Sequence, residues 1–128
     1  METIYGYVRV SAKDQNEARQ LIAMQEEVEK TFIGEPVVQY VVQLIHATRR
    51  HSGILQGASP RATLMVVRMA KAWAQLQGRD YVIPQDVQSV FPMTVAHRLL
   101  LKAQTGNGNG AAMQILSDIL ARVTAPQI

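Results

Sequence analysis

Apolar residues recur at helical spacing along most of the chain. In QNEARQLIAMQEEVEK, Ala18, Leu21, Ile22, Met24 and Val28 lie over one side of a run of good helix formers, which predicts a helix over residues 14–30. TFIGEP interrupts the pattern, and Pro36 suits the first turn of a second helix. VVQYVVQLIHATRR then places Val37, Val41, Leu44, Ile45 and Thr48 on one face. Its valines would also fit a strand, but the run is long for one and ordinary for a helix. Arg49 and Arg50 at its end complement the helix dipole.

HSGILQGAS reads as a loop. A third helix is expected from Pro60 to about Gln77, stopped by Gly78, with Ala62, Met65, Val66, Met69, Ala70, Trp73 and Leu76 inward. GRDYVIPQDV gives a turn, an extended piece at 81–83 and a short helix opened by Pro84 that ends near Phe91 and Pro92. MTVAHRLLLKA is expected to be helical from about Val95. TGNGNG reads as a flexible loop, and AAMQILSDILARV as a last helix with Ile115, Leu116, Ile119 and Leu120 inward. Near the N-terminus IYGYVRV, rich in β-branched and aromatic residues, reads as a short strand. The fold class is therefore mainly α, a small helical bundle with one N-terminal strand and a short extended piece near 81–83.

The 128 residues fit one domain, and 48% hydrophobic with 18% charged residues suit a globular core. The absence of cysteine removes disulfides and thiolate chemistry and fits a cytoplasmic location. No apolar run is long enough to span a bilayer, so no membrane partner is expected. A net charge of +3 without a basic stripe falls short of a nucleic-acid signature, and no such partner is expected.

Catalytic chemistry is not evident. There is no GxxxxGK[ST] loop, and GNGNG reads as a linker. His46, His51 and His97 lie in unrelated segments and make no metal-ligand spacing, so no metal site is expected. Glu17, Glu26, Glu27 and Glu29 read as a solvated helix face. Asp86 is explained by a helix start, and Asp118 is expected to be exposed.

One arginine stands apart. In GASPRATL, Ser59 can cap the third helix, Pro60 suits its first position, and Arg61 follows in the first turn. A cation there opposes the helix dipole. The placement fits an anion to be met, or an arginine that only reaches into solvent.

From about residue 24 the sequence resembles the C-terminal lid domain of MoxR-type AAA+ ATPases. The resemblance rests on MQEEVEKTFIGEPVVQYVVQLIHATRRH, LQGASPRATLMVVRMAKAWAQLQGRDYVIPQDV, VFPMTVAHRLLL and ILSDILARV, in that order. It implies a helical lid over 24–128, packed above a nucleotide held by a separate α/β core in a hexameric parent with ATP and Mg as cofactors. It further implies that Arg61 is the sensor-2 residue reaching toward the phosphates. Gly57, Ser59 and Pro60 would shape its turn, and Gly57 would let the backbone approach closely. The parent's role would be chaperone-like remodelling of a client protein. The ATP-hydrolysing motifs belong to the core, so this chain is not expected to be an enzyme alone.

The first residues resemble something else. IYGYVRVSAKDQNEARQL is similar to the start of a serine recombinase, with Ser11 at the nucleophile position and Arg9 at a nearby arginine position. The rest of that family's pattern is absent, and a lone serine hydroxyl is not activated. The division expected is thus 1–23 recombinase-like and 24–128 lid. The rival function is a DNA-binding or recombinase fragment with an inert Ser11.

Overall fold

A computed structural model of the chain describes residues 12–102 and 109–127. The chain divides into two compact units, Met1–Lys30 and Thr31–Ile128. In the first, helix α1 spans Ala12–Lys30, with Asp14 in its first turn and Lys30 in its last, each at the end its charge favours. The strand expected at IYGYVRV lies outside the described residues.

The second unit contains the core. Helix α2, Glu35–Arg50, begins after Gly34, with Pro36 in its first turn as the sequence implies. Val37, Val41, Leu44, Ile45 and Thr48 are all buried, joined by Tyr40. The Tyr40 hydroxyl accepts a hydrogen bond from Gln88 Nε2 at 3.3 Å, so its polar end is not stranded.

Helix α3, Pro60–Leu76, buries a narrower stripe than expected: Ala62, Val66, Ala70 and Ala74. These form one i, i+4 row of small side chains, which lets α4 (Pro84–Val95) pack closely along it. Met65 and Met69 sit beside the row at 36% and 41% exposure, Trp73 is half-buried and Leu76 is exposed. Larger side chains on the row would force the two helices apart. The helix stops as expected: Gly78 follows with φ 81°, a left-handed conformation glycine adopts without strain.

Helix α4 runs through Pro92 rather than ending there. Proline removes one N–H donor, yet Ala96 N–H still reaches the Pro92 carbonyl, and burial of Phe91 and Val95 holds the last turn. The helix expected from Val95 onward is replaced by a 3₁₀ turn, Ala96–Arg98, and strand β2, Leu100–Leu101. Its partner β1, Ile54–Gln56, lies in the segment read as a loop. The two pair antiparallel, Ile54 opposite Leu101 and Gln56 opposite Leu100. Lys102 N–H continues the contact to the Gly53 carbonyl. The extended piece near 81–83 reduces to a single parallel bridge between Tyr81 and Phe32.

Helix α5, Asn109–Arg122, starts two residues earlier than expected and buries Ala112, Ile115, Leu116 and Ile119, with Leu120 partly covered. Among the described residues no helix is long and apolar enough to cross a membrane.

Candidate functional site

The last turn of α2 builds a bracket for the start of α3. Thr48 is fully buried, and its hydroxyl donates to the Ile45 carbonyl at 2.6 Å while accepting the Ala58 N–H at 3.0 Å. Arg49 Nε donates to the Ala58 carbonyl at 3.0 Å. Both polar groups of the Ala58 backbone are thus held by neighbouring side chains of one helix. Gly57 completes the fit. A Cβ there would lie 2.7 Å from the backbone of Thr48 and Arg49, so only glycine allows this approach. The close approach expected of Gly57 is therefore made to α2.

Ser59 departs from its expected role. It occupies the N-cap position in extended conformation, but its side chain makes no capping hydrogen bond. The turn is made by its carbonyl, which accepts the Ala62 N–H at 2.9 Å, and Pro60 follows with the φ a helix start needs. Arg61 then projects from the first turn. It is exposed, and among the described residues no hydrogen bond or ion pair engages it.

One turn further along α3, Met65 touches a second cation: Arg98 Nη2 lies 2.6 Å from the Met65 sulfur. Met65, Met69, Met93, Thr94, His97 and Arg98 line a cleft of about 520 Å³.

The other end of α3 is closed by an ion pair between a partly exposed arginine and a buried carboxylate, which the sequence does not announce. Asp86 is 1% exposed and takes two hydrogen bonds of 2.6 Å from the Arg79 guanidinium. Asp86 also accepts the Ile83 N–H at 2.8 Å, while its own N–H returns to the Ile83 carbonyl. It therefore does more than complement a helix start. The hydrogen bond to Asp86 holds the Arg79 guanidinium above its ordinary pKa against the opposing effect of burial. An acid at the third helical position after a tight GRD turn was the available signal.

Asp118 is likewise not a free surface carboxylate. It accepts from His51 Nε2 at 3.0 Å and from Arg122 Nε at 3.3 Å, tying α5 to the end of α2. His51 Nδ1 accepts the Gly53 N–H, which assigns the proton to Nε2. His46, Arg50, His51 and Arg122 border a smaller cleft of about 360 Å³. Among the described residues no three His, Asp or Glu side chains gather to hold a metal. Arg9 and Ser11 lie outside the described residues.

The AAA lid domain family matches residues 46–119. The chaperone MoxR1 of Mycobacterium tuberculosis is 34% identical over 138 aligned positions, covering 99% of this chain and 37% of its own. The protein YeaC of Bacillus subtilis is 33% identical over 105 residues, covering 82% of this chain and 33% of its own. A crystal structure from Cytophaga hutchinsonii, provisionally assigned as an ATPase, superposes with a TM-score of 0.71 at 33% identity, over 80% of this chain and 34% of that one. The chain belongs to the AAA lid domain family, and its lid region is of the MoxR type. It spans about a third of the length of these relatives. The recombinase-like start finds no support among them: the likeness to MoxR1 runs across 99% of this chain, including the segment assigned to that start.

Proposed function

We propose that this chain is the lid module of a MoxR-type AAA+ ATPase and that Arg61 is its nucleotide sensor. The observation that carries the reading is the state of Arg61. It is exposed and, among the described residues, without a partner, on a helix start clamped by Thr48, Arg49 and Gly57. A permanently charged planar fork on a rigid support suits phosphate oxygens, which it can grip bidentately. In the parent protein the phosphates of ATP bound in the core would meet Arg61. Its charge would offset negative charge as the terminal phosphate is transferred. Because the contact depends on which phosphates are present, it would bias the angle between lid and core, and so transmit nucleotide state to hexamer contacts and to a client protein.

The residues fit the phosphates better than the metal. The lid offers a guanidinium for the former and, among the described residues, no carboxylate cluster for Mg, which the core would hold together with the hydrolytic groups. The chain by itself is then a nucleotide-responsive part, without ATP turnover of its own.

The test is steady-state ATP hydrolysis by the parent protein carrying Arg61→Ala. Turnover should fall by about tenfold or more, with the fold unchanged by circular dichroism. Unchanged turnover would remove the sensor assignment.

A further inference from the structure

We propose that Arg98 is a second phosphate-binding cation working beside Arg61, so that the lid grips a polyphosphate through two guanidinium groups. The inference rests on the sensor reading of Arg61 and adds a residue to it.

Arg61 and Met65 are four residues apart on α3 and share a face, with about 5–6 Å between their Cβ atoms. Arg98 Nη2 rests on the Met65 sulfur at 2.6 Å. The two guanidinium groups thus serve neighbouring turns of one helix face. Arg98 therefore lies against the turn of α3 that follows the one carrying Arg61, and each fork can take two phosphate oxygens.

A thioether is a weak acceptor, and Arg98 carries five donors. Arg98 is exposed, and Met65 is the one hydrogen-bond partner found for it among the described residues. A phosphate oxygen would replace this partner with a much stronger one. Arg98 sits on the 3₁₀ turn Ala96–Arg98, whose buried Ala96 anchors it at the wall of the 520 Å³ cleft.

Electrostatics favours an anion there. Residues 31–128 carry nine Lys and Arg against four Asp and Glu, a net charge of +5 with histidine neutral. No carboxylate occurs anywhere in residues 36–79 or 87–117. Two of the four acids are already engaged, Asp86 by Arg79 and Asp118 by His51 and Arg122. Neither α3 nor the 3₁₀ turn therefore has an acid of its own to neutralise Arg61 or Arg98.

The test is a titration of the ¹⁵N-labelled 128-residue chain with sodium tripolyphosphate at low salt, read by amide shifts. The shifts at residues 61–65 and 97–99 should follow one binding curve. Arg98→Ala should raise Kd by about tenfold, and Arg98→Lys should recover part of the loss. A Kd unchanged by Arg98→Ala but raised by Arg61→Ala would overturn the proposal and leave the sensor reading standing. A Kd indifferent to Arg61→Ala would count against both. No saturable shift in the unaltered chain would overturn the two-arginine site, while turnover of the Arg61→Ala parent would still decide the sensor reading by itself.

Discussion

Two arginines bracket α3, and they live in opposite circumstances. Arg79, past the C-terminal end, is fixed by two 2.6 Å hydrogen bonds to a carboxylate that is 1% exposed, and it lies 5.8 Å from the centre of the Tyr81 ring. Arg61, at the N-terminal end, has no such partner among the described residues and opposes the helix dipole. The first arrangement joins the turn after α3 to the start of α4 and is satisfied inside the unit. The second finds no partner among the described residues, and its proposed partner is an anion held by another domain. An arginine whose charge is matched locally belongs to the fold; one aimed outward from a stiff support is the one proposed above to meet an anion.

The sharpest way to break this contrast is to remove the buried partner. Asp86→Ala would leave Arg79 without its carboxylate and the Ile83 N–H without an acceptor. Because Arg79 is partly exposed and can turn to water, the substitution should cost about 1–3 kcal/mol in urea unfolding. The pair should also hold against base. A group whose pKa is raised in the folded state contributes stability in full below its unfolded pKa and loses it only as pH climbs through the folded value. For Arg79 both values are strongly alkaline. The gap between the unaltered chain and Arg79→Met should therefore stay constant from neutral pH to about pH 10.

The support under Arg61 can be tested next. Gly57→Ala would push a methyl group to 2.7 Å from the Thr48 and Arg49 backbone, and backbone cannot step aside as a flexible side chain can. It should cost about 1–3 kcal/mol in the same assay. If the bracket is what aims Arg61, tripolyphosphate affinity should fall as well, although Gly57 touches no ligand.

These two ends also differ in how far they could be read from sequence. The start of α3 at Pro60 was legible because its signal is local, although Ser59 does not make the capping hydrogen bond expected of it. The core face of α2 was legible for the same reason, since all five residues chosen by periodicity are buried. The Arg79–Asp86 pair was not. Both residues are visible, but their meeting depends on the reversal at Gly78, which brings the next helix start back toward the turn. The face of α3 was misjudged because its methionines and alanines both recur at helical spacing. Hydrophobicity favours the methionines, whereas close approach of α4 selects the small row Ala62, Val66, Ala70 and Ala74. Strand β2 was missed because what makes Leu100 and Leu101 a strand is β1, more than forty residues earlier in the chain.

Trp73 follows from that correction. A tryptophan in the centre of the core would be among the costliest residues to truncate. This one is half-buried and packs at the margin of the core. Trp73→Ala should therefore cost only about 1–2 kcal/mol, by the area it covers, and the chain should remain folded. A loss well beyond that range would return Trp73 to the centre.

The smallest expected change in stability is the most telling for Arg61, because its sign is unusual. Most substitutions destabilise, but Arg61 occupies the second helical position, where the dipole disfavours a cation, and no ion pair among the described residues matches its charge. Arg61→Glu keeps a good helix former and puts a negative charge where the helix prefers one. It should stabilise the chain by about 0.3–1 kcal/mol, a rise of a few degrees in Tm. The same substitution should abolish tripolyphosphate binding, because it sets a carboxylate against the phosphates. A gain in stability joined to a loss of binding is what a residue retained for a contact would give. A loss of stability would mean that Arg61, like Arg79, is held by the fold after all.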